Sequence, residues 1–291
     1  MFEKVLFPTD FSEYSLSVLT CVAEIPKIRE IILLHIIDAT HFSRQGWTHT
    51  AHIANAKLIM EEKKEFLENA GLTVQTRIDV IKEGTIWSEI NHVADSEDVS
   101  LIIMGARGRS FTEQLLGSVS TDMLHNATRP LLLMKFRSKT GPEGIVYEKY
   151  CSRLFSNVLV PTDFSRPSED SLIFVKGIEG IGEITLLNVV REDGSGHDLD
   201  VAVRASKEKL ESIREDLTSA GISAAAHVRI GYPPDEIISA ANSDDVSLIA
   251  MGPRGEGWIQ KIEELLVGST TSAVARRAQR PILVIRSSRN P

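Results

Sequence analysis

One feature of this sequence constrains its fold more than any other: three segments of the first half recur, in the same order, in the second half. The pairs are VLFPTDFS (5–12) with VLVPTDFS (158–165), DVSLIIMG (98–105) with DVSLIAMG (245–252), and RPLLLMK (129–135) with RPILVIR (280–286). Such spacing is the signature of a duplicated unit. We therefore predict one domain written twice, over residues 1–137 and 156–291, joined by a linker over 138–155.

Each copy alternates short apolar runs with longer helical stretches. In the first copy the β-branched runs lie at about 3–8, 30–37, 74–80, 99–104 and 131–136, the length of buried parallel strands. The longest helical stretches, 51–70 and 201–220, each end at a glycine, Gly71 or Gly221. This alternation predicts the α/β class: two tandem copies of a five-stranded, doubly wound parallel sheet, Rossmann-like in each half. Ligands of such sheets bind at the carboxyl ends of the strands, where the strand order reverses.

Composition narrows the range of partners. The chain has 32 basic and 40 acidic residues, a net charge of -8, whereas proteins that bind nucleic acid are usually basic where they contact phosphates. No apolar run reaches the ~20 residues of a membrane-spanning helix, and the first residues do not resemble a signal peptide. Two cysteines, Cys21 and Cys151, are expected to be reduced thiols. We expect a cytoplasmic protein that binds neither nucleic acid nor membranes.

The loop after the first strand offers a carboxylate to a ligand. Pro8-Thr9-Asp10 follows the strand and Ser12 precedes a helical run. Asp10 could accept hydrogen bonds from an amine or hydroxyl of a ligand. Alternatively, Thr9, Asp10 or Ser12 serves only as the cap of the first helix. The sequence leaves both interpretations open.

The loop after the fourth strand has the features of a phosphate-binding segment. Gly105 and Gly108 allow close approach of backbone N–H groups to an anion. Gly117-Ser118 opens the next helix, whose N-terminus offers free N–H donors. Ser118 and Ser120 add hydroxyls, and Arg107 adds positive charge. An ordinary strand-to-helix turn with a serine cap is the alternative.

Several other kinds of site are not predicted. The sequence contains neither G-x-x-x-x-G-K-[ST] nor a G-x-G-x-x-G after its first strand, so P-loop hydrolases and Rossmann dehydrogenases are disfavoured. His41, His49 and His52 lack a recognisable set of companion ligands, so no metal site is expected. His35 lies in an apolar strand and is interpreted as a structural core histidine. We identify no catalytic residue.

Taken together, three motifs resemble those of the universal stress protein family: Pro-Thr-Asp-Phe-Ser after strand 1, LLHIID (33–38) in strand 2, and Gly-x-x-Gly followed by Gly-Ser after strand 4. The resemblance covers nearly the whole chain, twice. It implies a fold like that of the adenine nucleotide alpha hydrolases. In the nucleotide-binding branch of the family, ATP or AMP lies at the strand carboxyl ends. The strand 1 aspartate and a strand 2 backbone position hold the adenosine, and the glycine segment wraps the ribose and phosphates.

Carried onto this chain, the resemblance implies a nucleotide site in each half. In the first half its residues are Pro8, Thr9, Asp10, Ile36, Met104, Gly105, Arg107, Gly108, Gly117, Ser118 and Val119. In the second half they are Pro161, Thr162, Asp163, Val189, Met251, Gly252, Arg254, Gly255, Gly268, Ser269 and Thr270. With ATP, Mg²⁺ would accompany the nucleotide.

Both halves depart from the family spacing of nine residues between the second glycine and Gly-Ser. The first gap, 109–116, has eight residues, and the second, 256–267, has twelve and includes Glu256, Glu263 and Glu264. Strand 2 of the second half also reads Asn188-Val189-Val190-Arg191 where the first has His35-Ile36-Ile37-Asp38. We therefore expect the first half to be the more family-like site, and the second to bind a shorter nucleotide such as AMP or to bind more weakly.

The resemblance also suggests a role and an assembly. The expected role is a stress-response sensor or regulator that binds ATP or AMP. The alternatives are a nucleotide-free interaction module of the same family and a slow ATP-hydrolysing enzyme. Strand 5 of each half is expected to pair edge to edge as an intramolecular pseudo-dimer, and a homodimer of chains is expected besides.

Overall fold

The structure is a computed structural model that describes residues 2–40, 49–107, 116–141, 144–148, 151–192, 196–255 and 267–286. The described residues form two compact units, which divide between Met134 and Lys135. Each unit contains one copy of the repeat.

The first unit is a parallel sheet with helical connections. Its elements are β1 (Lys4–Pro8), α1 (Glu13–Val22), β2 (Glu30–Asp38), α2 (His49–Asn69), β3 (Thr73–Ile81), α3 (Ile86–Ser96), β4 (Leu101–Gly105), α4 (Ser118–Asn126) and β5 (Leu131–Met134). The strands pair in the order β3-β2-β1-β4-β5, all parallel. The chain thus leaves β1 towards β2 and returns to β4 on the other side, which opens a crevice at the carboxyl ends of β1 and β4.

The second unit repeats this arrangement. Its elements are β6 (Arg137–Gly141), β7 (Gly144–Glu148), β8 (Asn157–Pro161), α5 (Arg166–Lys176), β9 (Glu183–Val190), α6 (Gly196–Ser219), β10 (Ser223–Ile230), α7 (Pro233–Ser243), β11 (Leu248–Met251), α8 (Ser269–Arg277) and β12 (Ile282–Val284). The order β10-β9-β8-β11-β12 is again parallel. The predicted fold class, a doubly wound α/β sheet in tandem, is confirmed. The segment predicted as a linker contains an antiparallel hairpin, β6–β7.

The central strands form the core of each unit because helices cover both faces of the sheet. Val5, Leu6 and Phe7 of β1 are completely buried, as are Val158, Leu159 and Val160 of β8. In β1 and β8 the polar residues are Lys4 and Asn157 at the first position, and the loops that follow these strands bring Thr9, Asp10, Thr162 and Asp163 to the cavities.

The two long helices end as the sequence predicts. Gly71 and Gly221 have φ angles of 91° and 81°, a left-handed conformation that favours glycine. The N–H of Gly71 donates to Glu68 O (2.9 Å) and that of Leu72 to Leu67 O (3.1 Å), which is the Schellman termination.

Two further observations concern membrane-spanning helices and the state of the two cysteines. No helix among the described residues is long and apolar enough to cross a membrane. Neither Cys21 nor Cys151, both in described segments, is a free thiol in the structure. The expectation of reduced cysteines is therefore wrong; cysteine count alone carries no information about pairing.

Candidate functional site

A cavity of about 620 Å³ lies at the carboxyl ends of β1, β2 and β4 in the first unit. Every described residue predicted for the first site lines it: Pro8, Thr9, Asp10, Ile36, Met104, Gly105, Arg107, Gly117, Ser118 and Val119. Gly108 lies outside the described residues. The structure thus brings three separate loops of the sequence together around one space.

The turn after β1 is held by its own side chains. Asp10 Oδ1 accepts from the N–H of Ser12 (3.0 Å) and from its hydroxyl (2.6 Å), and Ser12 Oγ accepts from the N–H of Ser15 (3.2 Å). Ser12 is therefore the cap of α1, and this role leaves Asp10 available as a lining residue of the cavity. Phe11 has a φ angle of 57°, a left-handed conformation rare for a bulky residue. Asp10 braces this strained turn and also lines the cavity.

The side chain of His35 forms a hydrogen bond with the main-chain carbonyl of Thr9 in the same turn. Its Nδ1 lies 2.8 Å from the carbonyl oxygen of Thr9, and because a carbonyl only accepts, Nδ1 carries the proton. The ring stacks on Phe11 with centroids 4.2 Å apart. His35 has the hydrogen bond expected of a structural histidine. However, it is only half-buried and lines the cavity.

The glycine segment joins β4 to the first turn of α4. Gly117 is the N-cap of α4 and has no side chain to satisfy the first N–H groups of the helix. Ser120, expected to offer its hydroxyl to a ligand, instead donates it to the carbonyl of Gly105 (2.9 Å). Its role is to hold α4 against the end of β4. Ser118, at the start of the helix, is exposed and lines the cavity.

The second unit has a cavity of about 500 Å³ at the equivalent place. All the residues predicted for the second site line it: Pro161, Thr162, Asp163, Val189, Met251, Gly252, Arg254, Gly255, Gly268, Ser269 and Thr270. Glu256, Glu263 and Glu264 lie outside the described residues.

The turn after β8 reproduces that after β1 with one change of chemistry. Asp163 Oδ1 accepts from the N–H (3.1 Å) and hydroxyl (2.5 Å) of Ser165, and Phe164 has a φ angle of 62°. At the position of His35 stands Asn188, whose Nδ2 donates to Thr162 O (2.7 Å). Either side chain satisfies the carbonyl, so this contact tolerates substitution by another donor.

Asp163 packs against the glycine segment of the second cavity. A side-chain carbon on Gly255 would fall on the Asp163 carboxylate, which explains why this position is glycine. Likewise a side-chain carbon on Gly252 would lie 3.0 Å from the carbonyl oxygen of Pro167. The two glycines therefore let the segment after β11 lie close to the turn after β8 and to the start of α5.

Some lining residues were not predicted. In the first cavity they include His52, Asn55 and Ala56 from α2 and Ile86 and Ile90 from α3. In the second they include Arg191 after β9 and Pro233 and Ile237 from α7. Arg191 and Asp38 could have been found from their place at a strand carboxyl end. The α2 residues could not, since the rotation of a helix is determined by tertiary packing.

Among the described residues that line the second cavity, Arg191 and Arg254 outnumber the one carboxylate, Asp163. Burial, and secondarily the charge of Arg254, lowers the pKa of Arg286 to about 10. Arg286 is therefore close enough to Arg254 for the two guanidinium groups to repel each other. Within the described segments, no group of three or more His, Cys, Asp or Glu side chains is placed to hold a metal ion. His41 lies outside these segments.

Comparison with known proteins identifies the family. The family model described as "Universal stress protein family" matches residues 1–135 and again 154–286. A crystal structure of a universal stress protein from Archaeoglobus fulgidus has 26% identity and a TM-score of 0.73, covering 99% of this chain and 97% of that one.

Two curated relatives agree with this assignment. Universal stress protein Slr1230 of Synechocystis is 24% identical over 260 residues, covering 88% of this chain and 79% of its own length. Universal stress protein MJ0577 of Methanocaldococcus jannaschii is 28% identical over 160 residues, covering 46% of this chain and 97% of its own. Because the family model matches both halves, the chain belongs to the universal stress protein family.

Proposed function

We propose that each half binds an adenine nucleotide in its cavity and that the chain is a stress-response sensor or regulator. One observation carries this proposal: all the described residues that the family resemblance implies for a nucleotide site line a single cavity in each unit. The cavities lie at the point where the strand order reverses, the usual ligand position of such sheets.

The size and lining of the cavities suit a nucleotide. Volumes of about 620 and 500 Å³ fall in the range of ligand pockets, roughly 300–1,000 Å³. In the first cavity Ile36, Ile90 and Met104 provide an apolar wall for a base. Ser118 and the N-terminus of α4 line the same cavity and would offer hydrogen-bond donors to a phosphate, with Arg107 adding positive charge.

The same contacts favour binding over turnover. The carboxylate at the end of β1 is engaged by the chain itself, since Asp10 Oδ1 accepts from the N–H and from the hydroxyl of Ser12. A hydrolytic enzyme needs a base positioned against a water or a nucleophile. We therefore propose a regulatory nucleotide, with Mg²⁺ accompanying ATP, and at most slow hydrolysis.

Isothermal titration calorimetry tests the proposal. Protein stripped of nucleotide is titrated with ATP and AMP, and with GTP as the control for the base. We expect saturable heat with the adenine nucleotides and a higher melting temperature, because a ligand of the native state stabilises it. The absence of both heat and melting shift at millimolar ligand would favour the nucleotide-free interaction module. Steady release of phosphate, lost in Asp10→Ala, would favour the enzyme.

A further inference from the structure

The residues that line the two cavities correspond position by position, so their charges can be compared directly. The pairs Asp10 with Asp163 and Arg107 with Arg254 conserve charge between the two linings. Charge is not conserved at one further pair of equivalent positions. Asp38, the last residue of β2, lines the first cavity, and Arg191, the residue after β9, lines the second. This exchange reverses a full charge at the same edge of the two sites.

The linings therefore have opposite charge balance. Among the described lining residues, the first cavity has two carboxylates and one guanidinium, and the second has one carboxylate and two guanidiniums. Asp38 is oriented by hydrogen bonds from the N–H (2.9 Å) and hydroxyl (2.6 Å) of Thr40, so its negative charge is held in place. An anionic ligand is therefore attracted less by the first arrangement than by the second.

The first turns of α4 and α8 differ in the same direction. Val119 lines the first cavity where Thr270 lines the second, which gives the second site an additional hydroxyl for phosphate oxygens. Hydroxyl content and charge thus favour the same cavity.

Resting on the proposed function, we propose that the two cavities select nucleotides by charge. The second cavity prefers a nucleoside di- or triphosphate, and the first prefers a nucleoside or a nucleoside monophosphate. Asp38 and Arg191 determine this difference. The sequence favours the opposite order, because of the twelve-residue gap of the second half, its changed strand 2, and Glu256, Glu263 and Glu264. These three glutamates lie outside the described residues.

Two charge variants of the full chain test this assignment. Asp38→Arg gives the first cavity the charge of the second; the exposed Glu65→Arg on α2, which changes net charge equally, is its control. The double variant Arg191→Glu/Glu192→Arg moves the positive charge one residue along the chain without altering net charge. Adenosine, AMP and ATP are titrated by calorimetry into stripped protein at low salt with EDTA, which prevents Mg²⁺ from masking the phosphates.

The wild-type chain should show one tight and one weak site for ATP, differing about tenfold in Kd, as expected for a charge exchange in a partly solvated site. Asp38→Arg should give two tight sites, and the double variant none. Adenosine should bind all variants with little change, because it carries no charge. If one variant no longer binds adenosine in its altered half, that half has lost its fold. The ATP affinities of the other variant then test the charge assignment.

Two results would overturn the charge assignment while leaving the proposed function intact. One is equal affinity of the two wild-type sites for ATP. The other is an ATP response to Asp38→Arg no greater than that to Glu65→Arg. Failure of adenosine, AMP and ATP alike to bind the wild-type chain would instead refute the proposed function itself.

Discussion

The Nδ1 atom of His35 lies 2.8 Å from the main-chain carbonyl oxygen of Thr9, and this bond joins the ends of two neighbouring strands beneath the first cavity. The second unit makes the same connection with an amide, from Asn188 to Thr162. The two units therefore show that either a histidine or an asparagine can form the hydrogen bond that holds this turn.

Replacing His35 tests how the turn is held. We expect His35→Leu to lower the free energy of unfolding by about 1–3 kcal/mol, because a carbonyl that is partly shielded from water loses its donor. His35→Asn should lower the free energy of unfolding less, because the second unit forms the equivalent bond with an asparagine, Asn188. The stacking on Phe11 is lost in this variant as well. Urea unfolding measures both. Equal losses for Leu and Asn would show that the hydrogen bond is unimportant.

Gly252 should not tolerate even one methyl group. An added carbon would lie 3.0 Å from both Pro167 O and Ser171 Oγ, and such overpacking costs about 1–3 kcal/mol. Gly196→Ala is the control, because nothing lies within 4 Å of the added carbon. We expect a lower melting temperature for Gly252→Ala and an unchanged one for Gly196→Ala. Similar melting temperatures for the two would mean that the loop can move aside.

Substitutions of Gly268 should affect nucleotide binding more than they affect the stability of the fold. It caps α8 with φ −64°, which any residue can adopt, and an added carbon meets only ordinary contacts at 3.6 Å. Gly268→Ala should therefore cost less than ~1 kcal/mol of stability but weaken nucleotide binding, because the methyl group occupies the approach to the helix N-terminus. Gly268→Ser should retain stability as a better cap and still bind weakly. Calorimetry of unimpaired binding in both variants would refute a phosphate at this helix.

Arg286 predicts an unusual dependence of stability on pH. Burial, and secondarily the charge of Arg254, lowers its pKa to about 10, so above about pH 10 the unfolded chain binds more protons than the native one. The free energy of unfolding must then rise with pH, by up to about 1.4 kcal/mol per unit.

The measurement compares urea unfolding of the wild-type chain and Arg286→Met from pH 8 to pH 10.5. The free energy of unfolding of the wild type should increase relative to that of Arg286→Met as the pH rises above 10. The exposed Arg276→Met, on α8, is the matched control and should show a constant difference from wild type. A constant difference for Arg286→Met as well would show that this guanidinium keeps its charge.

Much of the fold follows from the sequence because its patterns are local. β2, expected at 30–37, spans Glu30–Asp38, and the glycines after α2 and α6 take the predicted conformation. β4 begins later than expected, at Leu101, because Asp98 adopts φ 48° and Val99 N–H still bonds Ala94 O at the end of α3. Aspartate tolerates this conformation through its short side chain.

The rest of the site depends on contacts between distant segments. Nothing local in α2 indicates that His52 and Asn55 line the first cavity, since the position of the helix depends on packing. The dual role of Asp10, in the turn and in the lining, likewise emerges only in three dimensions. The pairing of the halves through strand 5, the homodimer and the cytoplasmic location stay predictions.

The central claim is that one chain holds two nucleotide cavities, and native mass spectrometry of the intact chain tests it most directly. The protein as purified, and after stripping and addition of ATP or AMP, should show mass increments for one and then two adenine nucleotides per chain. Gly268→Ala should weaken only one of the two. A chain that keeps its bare mass at millimolar nucleotide would contradict the account.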